Sequence, residues 1–143
     1  MSESEWQSQW TCQQVLLSFM QAVDRGDADQ AAALVTPSAE WHRQGEIHEG
    51  PAAIRAVILE RPRGRLIRHH LTGVVVTLHT PVRATSRAYY TVYIQEPSET
   101  HRSAARSRIG DHHAEFLRTD AGWRISQLRA ERLFPPEPAT ADR

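Results

Sequence analysis

From Leu66 onward the chain stops reading as helix. Leu66 to Leu78, Val82 to Gln95, Ala104 to Thr119 and Trp123 to Arg132 are four long stretches rich in branched and aromatic residues. Their connections are short: His79-Thr80-Pro81, a loop around Pro97 to Arg102, and the tight turn Thr119-Asp120-Ala121-Gly122. Long strands joined this way predict an antiparallel meander. The cover for such a sheet has to come from the residues before Leu66.

Those residues supply helices. Glu5 to Arg25 places Cys12, Val15, Leu16, Phe19, Met20 and Val23 in one apolar sector, with Gln14, Ser18, Gln21 and Arg25 opposite. Asp24 breaks this pattern. It stands four residues after Met20 and seven after Leu17, on the apolar flank, where a carboxylate is costly unless it finds a partner. An aspartate that turns out to water or caps the next turn is the plain alternative. Gly26 closes the helix, and Asp27 with Gln30 starts a second over Ala28 to Val35, stopped by Thr36-Pro37. Ala39 to Arg43 reads as a short strand, Gln44-Gly45 as a turn and Glu46 to His48 as a second strand. Gly50-Pro51 opens a third helix carrying Ile54, Val57 and Ile58, which Arg61-Pro62-Arg63-Gly64 ends. The expected architecture is α+β: three helices gathered on one face of a curved, mainly antiparallel sheet, which encloses a pocket with them if it curls. It forms one domain over residues 1–134, followed by a proline-rich tail, 135–143, extended or disordered.

Composition narrows the function. Seventeen basic residues balance seventeen acidic ones, which argues against nucleic acid or an anionic membrane as partner. Every basic residue is arginine, so no lysine is present to form a Schiff base or act as general base. A single cysteine, Cys12, leaves no disulfide within the chain, and the acidic, polar start lacks a signal-peptide pattern. A cytoplasmic protein is expected, without a membrane-spanning segment. The eight histidines show neither a helical i, i+4 pair nor a tight ligand cluster, so no metal is predicted.

Three segments carry a resemblance: Ala22-Val23-Asp24-Arg25-Gly26-Asp27, Arg68-His69-His70-Leu71-Thr72-Gly73 and Glu115 to Ile125 with its Gly122-Trp123 pair. Together with the element order they resemble the SnoaL-like branch of the nuclear transport factor 2-like superfamily, over about Gln13 to Arg132. That branch includes scytalone dehydratase, lindane dehydrochlorinase, bile-acid dehydratase and the small subunits of ring-hydroxylating dioxygenases. The glycine-tryptophan turn speaks to fold only. The resemblance implies a strongly curved sheet forming a cone-shaped pocket, with an aspartate-histidine dyad in it, here Asp24 and His69.

An imidazole, which titrates near pH 6.5 in water, can take a proton at physiological pH, and a carboxylate on its other nitrogen sets the tautomer and stabilises the imidazolium. Without a phosphate-cradling glycine loop or cofactor fingerprint, the implied chemistry needs no cofactor: elimination, isomerisation or cyclisation of a hydrophobic oxygenated ring compound. From the residues alone, the first reading of His69 is a strand-end histidine satisfied by backbone or solvent. Strand alternation puts Ala88, Tyr90, Val92 and Ile94 on one face and Tyr89 and Tyr93 on the other, the latter suited to a dimer or trimer interface. Gly110, His112, Ala114 and Phe116 share the inner face of the next strand. Accordingly Trp41, Tyr90, His112 and Phe116 are candidate substrate-binding residues, with His112 a second acid or a hydrogen-bond donor. His70 and His113 are read as outward-facing. The family's tyrosine and acidic residue are replaced on that inner strand by His112 and Ala114, which leaves open a non-catalytic ligand-binding or assembly subunit of the same fold.

Overall fold

The computed structural model describes residues 4–98 and 106–136. The elements run α1 (Glu5–Arg25), α2 (Ala28–Ala33), β1 (Val35–Arg43), β2 (Glu46–Glu49), α3 (Gly50–Leu59), β3 (Leu66–Thr80), β4 (Arg83–Gln95), β5 (Arg106–Thr119) and β6 (Gly122–Phe134). The six strands form one open sheet in the order β2-β1-β6-β5-β4-β3. All neighbours are antiparallel except β1 and β6. This is the expected α+β arrangement, a curled, mainly antiparallel sheet covered by helices. The start expected for β5 at Ala104, much of the preceding loop, and tail residues 137–143 lie outside the described residues.

Local chemistry explains most boundaries. Ser4 and Gln7 form a capping box at the start of α1, and Gly26 at φ 75° closes its end in the left-handed conformation. The Asp27 side chain accepts from the Gln30 N–H to start α2. Gln44 and Gly45, both at positive φ, make the two-residue turn between β1 and β2. The second helix is shorter than the sequence suggested, and Thr36-Pro37 does not end a helix. Those residues already belong to β1, where pairing with β6 is irregular between Val35 and Glu40 and pairing with β2 begins only at Glu40. A proline has no N–H to donate, and here the ladder asks for none.

The sheet's inner face and α1 bury the core. Leu16, Phe19, Phe116, Trp123, Ile125 and Leu128 have almost no exposed surface. The helix touches β3 at one edge of the sheet as well as β6 at its middle. Only a sheet that curls around the helix allows both. One device for this is an irregularity at Gly73, φ 61°, between the pairs Thr72–Tyr89 and Val75–Arg87. Two residues of β3 there, Gly73 and Val74, face one of β4, Ala88, so the inward parity changes from Ile67, His69 and Leu71 to Val74, Val76 and Leu78. No helix of the described residues is long and apolar enough to cross a membrane.

Candidate active site

Asp24 lies in the last turn of α1, where the carbonyl dipoles disfavour an added negative charge. Two contacts compensate. Arg61, just beyond α3, donates from Nη1 to the Val23 carbonyl at 2.8 Å and from Nη2 to the Asp24 carbonyl at 3.3 Å. His69 supplies the rest. Its backbone N–H donates to Asp24 Oδ2 at 2.9 Å, and its ring Nδ1 lies 2.5 Å from Oδ1. β3 is an edge strand, so it has backbone N–H groups with no strand to receive them. Asp24 meets one of these and the imidazole together.

This geometry sets the tautomer. A carboxylate oxygen only accepts, so Nδ1 donates, and in the neutral ring Nε2 carries the lone pair. Among the described residues Nε2 has no hydrogen-bond partner. The side chain of Asp24 is 7% exposed and that of His69 17%. The histidine therefore borders open space while its anchor is withdrawn from it.

His69 lines a cavity of about 510 Å³ between the sheet, α1 and α3. Met20, Val23, Val57 and Ile58 form its helical wall, and Ile67, Val92 and Ile94 its floor. Trp41 and Tyr90 also line it. Trp41 serves the core as well, meeting Phe19 edge-on with ring centroids 5.5 Å apart. The Tyr90 ring lies against Gly110, its cross-strand partner. Phe116 does not reach the cavity. It is fully buried in the core, two inner positions along β5 from His112, and it is no wall of the site.

His112 lines the cavity but is 4% exposed, and its Nδ1 has no hydrogen-bond partner. Burial, then the charges of His69 and His113, push its pKa down to about 4. The ring is therefore neutral at physiological pH. Of the two roles open to it from the sequence, a second acid or a hydrogen-bond donor, a neutral ring favours the donor. The unfolded chain binds a proton between about pH 6.5 and pH 4 that the folded chain refuses. Stability present above pH 6.5 is thus lost as pH falls through that window, by on the order of 3 kcal/mol. Urea melts between pH 7 and pH 4 should show this slope in the wild type and lose it in His112→Asn. Equal slopes would assign it elsewhere.

Outward-facing residues separate from the site. Tyr89 and Tyr93 are 65% and 44% exposed, and His70 meets the Tyr93 ring at 5.4 Å on that side. His113 faces out too, beside Tyr89, Arg87 and Asp111 in a shallow depression. What sequence reasoning missed is the charged rim, with Arg43, Arg61, Arg65 and Arg108 all on the cavity. Strand alternation held a signal for two of them. Arg43 shares a face with Trp41, and Arg108 with Gly110. Arg61 and Arg65 lie in a loop, where periodicity carries no information.

The family described as SnoaL-like domain matches residues 4–129. The chain belongs to that family. Solved structures share its fold at low identity. A nuclear transport factor 2-like protein with a cystatin-like fold from Novosphingobium aromaticivorans is 24% identical, with a TM-score of 0.71 over 87% of this chain and 80% of that one. A protein from the same organism, proposed to be a scytalone dehydratase, is 14% identical, with a TM-score of 0.70 over 86% and 82% of the two chains. A protein from Catenulispora acidiphila, solved in complex with S-DNPA, is 16% identical, with a TM-score of 0.70 over 85% and 90%. No curated protein sequence matches the chain. As a SnoaL-like domain, the chain places its cavity between the helices and the concave face of the sheet.

Proposed function

We propose that this SnoaL-like protein is a cofactor-independent acid–base enzyme acting on a hydrophobic oxygenated ring compound. One observation carries the reading: Asp24 holds His69 by both backbone and ring, leaving Nε2 unpartnered on a cavity with an apolar floor and a charged rim. In the proposed reaction Nε2 takes a proton from carbon next to a carbonyl. The electron pair of that C–H bond moves into the ring system and expels a leaving group or shifts a double bond. The imidazolium that forms is stabilised by Asp24 and returns its proton to the leaving group or to carbon. Neutral His112 and the Tyr90 hydroxyl are the accessory groups placed to hydrogen-bond a substrate oxygen.

The test is exchange of α-protons in deuterium oxide, followed by NMR over a panel of cyclic ketones and hydroxyketones. Wild type should catalyse exchange or elimination on at least one member, and His69→Gln should slow it by roughly 10² to 10⁴. Equal rates for the two proteins would overturn the mechanism and favour a ligand-binding or assembly role.

A further inference from the structure

The rim of the cavity carries more positive charge than its own pairings use. Arg61 is engaged by the carbonyls that end α1, and Arg65 by Glu96, at 3.1 Å from Nε and 2.9 Å from Nη2. Arg43 and Arg108 are different. Both are half-buried on the same cavity, and neither forms an ion pair with a described carboxylate. The Arg43 guanidinium lies 5.1 Å from the Trp41 ring centroid, stacked on an aromatic face rather than matched to an acid. Its pKa is lowered by burial first, then by Arg65 and Arg108; exposed Glu46 offsets this in part, and Arg61 adds to it. Two guanidinium groups on one cavity, held partly out of water with only the exposed Glu46 to offset them in part, form an anion-binding arrangement.

Sheet register locates it relative to the imidazole. His69 pairs with Val92, and Val92 with Arg108, so the three stand in one row across β3, β4 and β5. With strands about 4.8 Å apart, the Arg108 backbone is roughly 10 Å from that of His69. Apolar floor lies between them. The neighbouring inner position on β5 beyond Gly110 is His112, buried and with an unpartnered nitrogen. A ring lying on that floor would have an anchor at one end and the histidine at the other.

We propose that the ligand of this cavity is a ring compound bearing an anionic oxygen group, a carboxylate or a phosphate, which Arg43 and Arg108 grip at the rim. The role of His69 rests on the acid–base reading above; recognition of the anion does not. Isothermal titration calorimetry of the full chain with 2-naphthoate, its methyl ester and 2-naphthyl phosphate tests it. At least one anion should bind roughly tenfold to a hundredfold more tightly than the ester, and less so as salt is raised. The double variant Arg43→Gln/Arg108→Gln should lose that advantage, and each single variant should reduce it. The ligand-free double variant should melt no lower than wild type, because the mutual repulsion it removes is offset only in part by Glu46. His69→Gln should keep the preference for the anion, so a failed acid–base mechanism would leave this result intact. Whichever anion binds better identifies the group. An ester that binds as tightly as both anions would overturn the proposal, as would a double variant that keeps the full preference.

Discussion

Asp24→Asn is expected to lower turnover by roughly 10² to 10⁴ while leaving the fold almost as stable as before. The reason lies in the two carboxylate oxygens. Oδ2 accepts from the His69 backbone N–H, and Oδ1 faces Nδ1. An asparagine can still accept the backbone N–H through its carbonyl oxygen. Its amide nitrogen then stands opposite Nδ1 and donates where the carboxylate accepted. That forces the imidazole proton onto Nε2, the nitrogen proposed to act as base, and removes the charge that stabilises the imidazolium. Nitrogen-15 NMR of the His69 ring reads the tautomer directly, and thermal melting reports the fold. If Asp24→Asn keeps full activity with the tautomer reversed, the orienting role is wrong. Asp24→Ala is a different experiment. It strips the acceptor from an edge-strand N–H and from the ring together, so a loss of stability of about 1 to 3 kcal/mol should accompany the loss of activity.

The second large effect is expected at Gly110. A methyl group placed there would sit 2.0 Å from the Glu131 carbonyl oxygen, 2.7 Å from a ring carbon of Tyr90 and 2.9 Å from its hydroxyl oxygen. The carbonyl is backbone in β6, at the irregular pairing between Ile109 and Gly110, and cannot withdraw without opening the β5–β6 ladder. Gly110→Ala should therefore destabilise the protein by on the order of 3 kcal/mol, a fall in melting temperature of about 10 °C. It should also push the Tyr90 ring into the cavity and weaken ligand binding. Tyr90→Ala relieves the ring contacts but not the carbonyl. If Gly110→Ala remains comparably destabilising in that background, the backbone is the cause; if its effect vanishes, the tyrosine is.

Much of this arrangement was legible before any coordinates. The periodicity of α1 put Phe19, Met20 and Val23 on the buried side, with Asp24 beside them at a place where a carboxylate needs a partner. Alternation in β4 and β5 separated Tyr90 and His112 from Tyr89 and His113. Other features were not legible, for identifiable reasons. Pro37 looked like a stop, because a proline's effect depends on whether a neighbouring strand needs its N–H. His112 and Phe116 were equivalent by alternation, yet one borders the cavity and the other lies in the core, since depth along a strand depends on what packs above it.

The sequence by itself determined the elements, the inward parity of most strands and the oddity of a carboxylate on an apolar helix flank, since these follow from spacing along a few turns or residues. Tertiary structure decided the rest. It brought Asp24 to His69, forty-five positions away, by laying the end of α1 along the open edge of β3. It also set Arg108 in the same row as His69 and drew Arg43 to the same rim. Those meetings depend on strand register, on the bulge at Gly73 and on how far the sheet curls. Each arises from packing between segments distant in sequence, so no local pattern encodes it.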